Sequence, residues 1–496
     1  MYSILLLAAI ILSFPLHARE TVVSNTGELN DAIASLSSND TVSIKDGTYH
    51  LSSTLIINNK TAKISRILIR GLSGDREKVK LFCPGMGVQS SAAPHVFNIF
   101  NAGNVTIRDL TAGKTCWHPV SISGQAGAEA IKLINLHLID AGEQFIKVNN
   151  AETPKCDSGL VQGCLIEYTD YAFWWTDHYY TQGFDKIGGG DAWTVRNSVF
   201  KNIRPHPDHV ADADGCGAAI TFWQGGAQNL VEKNLIINCR KGIEFGISDN
   251  TGVSGGIIKN NIIYRDAAEV GGDNGIMIND SPDSKVFNNT VILNATFDPW
   301  SNGIGKTIEY RFDGSTNLQI RNNLSDGQIW ERTAGLNPSI TQNISNAKLS
   351  WFKDPANSDL HLKATAADVI DHGSALSDVA DDIDGEPRPG GTGYDIGADE
   401  YYQTAVKPFT GKKSNSGYHI LFKAGSLHYY IQQITTVNIR LFNAAGKKIC
   451  AFEPGRQQKG WHSVSLSENN ITYGVYYLIL IYDHEIVLTD RIIFVG

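Results

Sequence analysis

Three groups of side chains in this sequence have types and spacings that could do chemistry. The first is Lys147, Asp185, Thr221, Glu244, Met277 and Glu309, followed two residues on by Trp223, Asn279 and Arg311 after Thr221, Met277 and Glu309. Four of them sit at the same place in one phrase: Ala219-Ile220-Thr221-Phe222-Trp223, Gly242-Ile243-Glu244-Phe245-Gly246, Gly275-Ile276-Met277-Ile278-Asn279 and Thr307-Ile308-Glu309-Tyr310-Arg311. A strand sends alternate side chains to opposite faces, so with the Ile/Phe pairs inward these residues share an outer face. Stacked strands are about 4.8 Å apart, which would make Lys147 and Asp185 neighbours and separate Asp185 from Glu244 by about 9.6 Å. A lysine or arginine there could take the proton α to a carboxylate. Two carboxyls at the Asp185–Glu244 spacing could instead serve as the acid and base of an inverting hydrolysis.

The second group is an aromatic insert holding Tyr168, Tyr171, Phe173, Trp174, Trp175, Asp177, His178, Tyr179 and Tyr180. The third runs from His206 through Asp208, His209 and Asp212 to Asp214. Both would rise as loops beside the outer face, where aromatic rings can stack on sugar rings. Trp175, His178, Trp223, Asn279 and Glu309 are then candidate substrate contacts. Asp185, Asp208, Asp212 and Asp214 could hold calcium through oxygen ligands. A loop packed on itself and a solvated turn are the plainer alternatives for the two inserts.

Positioning these residues requires a repeating scaffold, and the sequence contains one. Val195-Arg-Asn-Ser198-Val-Phe200 returns as Val231-Glu-Lys-Asn234-Leu-Ile236, Ile258-Lys-Asn-Asn261-Ile-Ile263, Val286-Phe-Asn-Asn289-Thr-Val291 and Ile320-Arg-Asn-Asn323-Leu324, at intervals of 27 to 36 residues. Such intervals belong to solenoids, whose repeats are too short to bury their own apolar face and must stack on one another. The Ser198–Asn323 column predicts a ladder of stacked turns, since Asn tolerates left-handed φ and its amide both donates and accepts. Earlier coils appear around Asp109, Asn135 and Cys164. The expected fold is all-β, a right-handed parallel β-helix over 19–402. Leu29, Ala32, Ile33 and Leu36 behind Thr26 predict a helix that caps its open first coil.

The 496 residues carry 48 Gly and a net charge of −9. The glycine content suits a turn-dense β protein. The charge argues against a nucleic-acid partner, yet a locally basic groove could still hold an acidic polymer. Met1-Tyr2-Ser3, the apolar run Ile4 to Leu12 and Leu16-His17-Ala18 read as a secretory signal over 1–18, too short to span a membrane. The expected location is secreted or at the cell surface. Among seven cysteines, Cys156 and Cys164 could close a small loop, with buried thiols the alternative for most.

Asp354 to Tyr401 is dense in turn formers and carboxylates. It invites a metal or acid-base reading, but carboxylates accepting backbone hydrogen bonds in a rigid closing segment are the stronger expectation. A linker is expected over 403–416. Over 417–496, short alternating runs such as Val437 to Phe442 and Tyr473 to Leu478 predict a small β-sandwich.

The phrases from Tyr180 to Asp185, Ile220 to Gly225, Gly242 to Gly246 and Ile308 to Phe312 resemble secreted β-helix proteins of the pectate-lyase-like superfamily. The Asp354–Tyr401 stretch resembles the choice-of-anchor tail that follows many of them. The Asn443-to-Lys448 turn with Gly474-Val-Tyr-Tyr-Leu478 resembles the C-terminal sorting modules of Bacteroidetes-type secretion systems, implying secretion machinery as a partner. A carbohydrate-binding module displaying Trp461, Tyr476 and Tyr477 is the alternative. Three functional classes stay open: a polysaccharide lyase cleaving a uronic-acid polymer by calcium-assisted β-elimination, with Lys147 or Arg311 as base; an inverting glycoside hydrolase using Asp185 and Glu244; and a non-catalytic glycan-binding scaffold. In each, the partner is an extended polysaccharide.

Overall fold

In the computed structural model the described residues are 18–58, 62–175, 178–212, 215–269, 271–294, 306–402, 419–423, 426–431, 433–443, 448–465, 474–482 and 485–494. The expected signal and the 403–416 linker lie outside them, apart from Ala18. The chain forms two compact units, Met1–Tyr401 and Tyr402–Gly496.

The first unit winds through three parallel sheets of twelve, ten and ten strands, here sheets A, B and C. Sheet A begins at Glu20–Val23, sheet B at Gly47–His50 and sheet C at Leu55–Ile57, and from there each coil contributes one strand to each sheet. Apart from the connection over 72–78, the chain turns between A and B in two residues, and here the repeated phrase acts. The residue before the column holds the left-handed conformation: φ is 50° at Asn197, 56° at Lys233, 53° at Asn260, 48° at Asn288 and 56° at Asn322. The column itself carries the hydrogen bonds. Nδ2 of Asn234 donates to Oδ1 of Asn261 (3.0 Å), Asn261 to Asn289 (2.9 Å), Asn289 to Asn323 (3.0 Å) and Asn323 to Asn343 (2.9 Å). The two virtues of asparagine expected at one position are therefore divided between neighbours.

The core lies inside the coil. Ile220, Phe222, Ile243, Phe245, Ile276, Ile278, Ile308 and Tyr310 all point inward and are buried, as the alternation requires. All seven cysteines are free and six are buried, so the Cys156–Cys164 loop does not form; Cys164 instead directs its thiol at the Leu133 carbonyl. The N-terminal helix spans Thr26–Ala34 and buries Leu29, Ala32 and Ile33. Its N-cap is Asn25 rather than Thr26, with the Asn25 side chain accepting from the Glu28 amide.

Between 352 and 401 the carboxylates serve as turn acceptors. Asp399 accepts from the Leu362 amide, Asp382 from those of Glu386 and Glu400, and Asp395 from those of Asp371 and Tyr401. The Arg388–Glu400 ion pair is fully buried. In the second unit, antiparallel sheets of three and four strands share one apolar cluster that includes Leu427, Tyr429, Ile439, Leu441 and Leu478.

Candidate active site

The outer face of sheet C carries the expected column in unbroken register. Ser121 pairs with Lys147, Lys147 with Asp185, Asp185 with Thr221, Thr221 with Glu244, Glu244 with Met277 and Met277 with Glu309. Trp330 continues it one coil beyond Glu309. Sheet B leads into sheet C through the long inserts, so these loops flank the column.

Around Lys147 the face is a polar cluster. Its ammonium donates to Asp185 Oδ2 at 2.5 Å, and the Trp223 indole N–H donates to Asp185 Oδ1 at 2.7 Å. Both oxygens of Asp185 are engaged, and its side chain is 1% exposed against 8% for Lys147. Glu143 comes from the corner just before the Lys147 strand, with its carboxylate 3.6 Å from Nε2 of His118. Burial pushes the Glu143 carboxyl above the usual carboxylate range, outweighing the pull of Lys147 and His178. His118 stacks on His95 with ring centroids 5.1 Å apart. Burial depresses both imidazoles, His118 to about 3, and Nδ1 of His118 donates to the Gln144 carbonyl at 3.0 Å. Beside them Gln144 is buried, and neither atom of its side-chain amide has a hydrogen-bond partner among the described residues.

A second cluster forms around Glu309. Register places it five coils from Lys147, about 24 Å along the face. Lys147 and Arg311, expected as alternative bases of one centre, therefore belong to separate ones. Glu244 lies between the clusters, accepting from the Lys241 ammonium at 2.9 Å. Asp185 and Glu244 are two coils apart as expected, and each accepts from an ammonium.

The inserts are organised differently from the expectation. Tyr168 and Tyr179 are fully buried, and Trp174 stacks on His209 at 4.3 Å with the rings 8° apart, joining the two loops. Trp175 donates its indole N–H to the Gly142 carbonyl and packs edge-on against Phe173. His178 and Tyr180 remain exposed. The aromatic run thus mainly builds the wall beside Glu143. Of the four expected calcium ligands, Asp185 and Asp208 are the two whose side chains are described. Asp185 is held by Lys147 and Trp223, whereas Asp208 is 81% exposed beside His206. Asp212 lies in the short helical turn Pro207–Asp212, and Asp177 and Asp214 lie outside the described residues. Among the described residues, His361, Asp384 and Asp399 in the closing segment bring potential ligand atoms together.

Sequence alternation missed Glu143, His95, His118 and Gln144 because they precede the strands, at corners where parity does not apply. It also missed Lys186. This side chain occupies an inward position, fully buried, with Nζ donating to the carbonyls of Gly190 and Gly225, and burial lowers its pKa to about 7.

Residues 182–329 match the family described as right handed beta helix region. The fold is a right-handed parallel β-helix. Among solved structures it resembles pectate lyase Pel9A, with a TM-score of 0.52 at 14% identity over 77% of this chain and 96% of that one. Lower similarity extends to an alginate lyase from Paenibacillus sp. str. FPU-7 (TM-score 0.42, 13% identity, 66% of this chain and 99% of that one). A glycoside hydrolase also matches, with TM-score 0.37 and 16% identity over 56% of this chain and 54% of that one. No curated protein matches the sequence. At these identities the likeness speaks for the fold alone.

Proposed function

We propose that this protein is a secreted polysaccharide lyase that cleaves a uronic-acid polymer by β-elimination on the outer face of sheet C. The observation carrying this reading is Lys147 held against Asp185 beside Glu143, a carboxyl whose pKa burial has raised. Elimination requires a cation to neutralise the substrate carboxylate and a base to remove the proton α to it. The Lys147 ammonium, positioned by Asp185, suits the first role better than that of base. Glu143 suits the second: it takes the α proton, the bond to the leaving oxygen breaks as the ring double bond forms, and the same carboxyl returns the proton to that oxygen. The Trp223–Asp185 bond keeps Lys147 and Asp185 in place. The likeness to pectate lyase Pel9A is consistent with this reading through its fold.

The test is a panel of uronic-acid polymers followed by the ultraviolet absorbance of an unsaturated sugar end, with calcium and again with chelator. Absorbance growth on one acidic polymer supports elimination, and its loss with chelator would add a metal outside the Asp185 position. New reducing ends without absorbance would replace elimination by hydrolysis. Retention of polymer without either product would indicate a binding scaffold.

A further inference from the structure

Glu309 is fully buried, and three cations share its single negative charge. Its Oε1 lies 3.2 Å from Nη1 of Arg332 and 3.8 Å from Nε of Arg311, and its Oε2 lies 3.8 Å from Nζ of Lys306. Three cations crowd the one carboxylate they touch, with Asp273 and Glu244 adding negative field from further off, and the cluster presents cationic groups to the groove. Burial and the neighbouring Arg332 lower the pKa of both Arg311 and Lys306, as crowded like charges should. Trp330 forms a wall: Lys306 Nζ lies 3.6 Å from its ring centroid and the Arg332 guanidinium 5.8 Å. The Arg332 side chain is 48% exposed, so the cluster is open to a ligand.

A second observation also points to a ligand. Asn274 is 2% exposed and donates its amide to Glu309 at 3.1 Å, yet its Oδ1 has no hydrogen-bond partner among the described residues. A buried carbonyl left unpaired is costly, and a hydroxyl would satisfy it. A group that is anionic on one side and rich in hydroxyls on the other is an acidic sugar.

We propose that Lys306, Arg311 and Arg332, with Asn274 and Trp330, form a distal subsite for an acidic sugar unit, five coils from Lys147 on the same polymer. The anion is a carboxylate or a sulfate ester. This rests on the reading that the sheet C face holds an acidic polysaccharide, and it makes the protein favour chains long enough to span both clusters.

The experiment measures binding of uronic-acid oligomers graded in length up to the polymer, together with a neutral-backbone polymer carrying sulfate esters, for wild type, Arg332→Ala, Arg332→Lys and Trp330→Ala. Wild type should bind spanning chains more tightly than short ones. Arg332→Ala should lose about tenfold on spanning chains, the scale of one charge-assisted hydrogen bond. Arg332→Lys should recover part of that, and Trp330→Ala should also abolish the length preference. The arm that responds, uronate or sulfate, names the anion. Equal loss at every length, or unchanged affinity in Arg332→Ala, overturns the subsite. Length-dependent loss in a protein that releases no unsaturated product keeps the subsite and removes the lyase reading; unsaturated product with no effect of Arg332 does the reverse.

Discussion

Lys147 and Asp185 face each other across one rung of sheet C, Nζ to Oδ2 at 2.5 Å, and Asp185 is locked on its other side by the Trp223 indole. Breaking a buried pair from one side leaves an uncompensated charge, at a cost of about 3–5 kcal/mol. Asp185→Ala should therefore lower stability by about that much in urea unfolding. The double variant Lys147→Met with Asp185→Leu should recover most of it and remain inactive. Recovery of activity along with stability would show that the pair serves the fold alone.

Glu143→Gln keeps the shape of a partly exposed side chain and removes its proton chemistry. The expected result is a loss of about 10²–10⁴ in kcat with the melting temperature unchanged. Because the Glu143 carboxyl is raised and acts ionised, wild-type activity should climb with pH through a value above the ordinary carboxylate range. That limb should be absent from the residual activity of the variant.

The asparagine ladder should be measurable as stability. Asn261 accepts from the Asn234 backbone amide and donates to the Val231 carbonyl and to Asn289. Asn261→Ala leaves buried partners unsatisfied and should cost about 2–3 kcal/mol. Asn260→Ala disturbs the adjacent left-handed position, at φ 53°, and should cost about 1–2 kcal/mol. Equilibrium urea unfolding of the two variants checks both values and their order.

The closing segment should make the first unit pH-sensitive. Burial opposes charge on His361, but bonds to Asp359 (2.5 Å) and Asp384 (2.9 Å) outweigh it and hold the imidazole pKa well above its usual value. A histidine raised on folding contributes fully below its unfolded pKa of about 6.5, and that contribution is lost as pH rises through the folded value. Burial also raises Asp399, to about 6, which likewise favours the folded state at lower pH. Melting temperature should fall between about pH 6 and pH 9, and His361→Asn should flatten that slope.

Much of this architecture can be read from the chain because a solenoid repeats its information. The Asn234, Asn261, Asn289 and Asn323 column locates four successive A-to-B turns, and alternation around Ile220, Ile243, Ile276 and Ile308 then assigns the outward residues. What alternation cannot reveal is how outward groups are used. Asp185 and Glu244 have the spacing of a carboxyl pair, yet each is bonded to a lysine. Glu143 and His118 sit at corners, where the two-residue period breaks. Trp174 and Tyr179 pack within the inserts, because loop rings bury apolar area against one another before any ligand arrives. Lys186 turns inward because two glycine carbonyls receive its ammonium, a partnership that only the folded coil creates.

The central claim is elimination at Lys147 and Glu143, and the most direct test is the mass of the oligosaccharides released from an acidic polymer. The account predicts fragments whose new non-reducing ends are lighter by one water than hydrolysis would leave, formed by wild type and not by Lys147→Ala or Glu143→Gln. Fragments of hydrolytic mass, or unsaturated fragments still released at the wild-type rate by both variants, would contradict it.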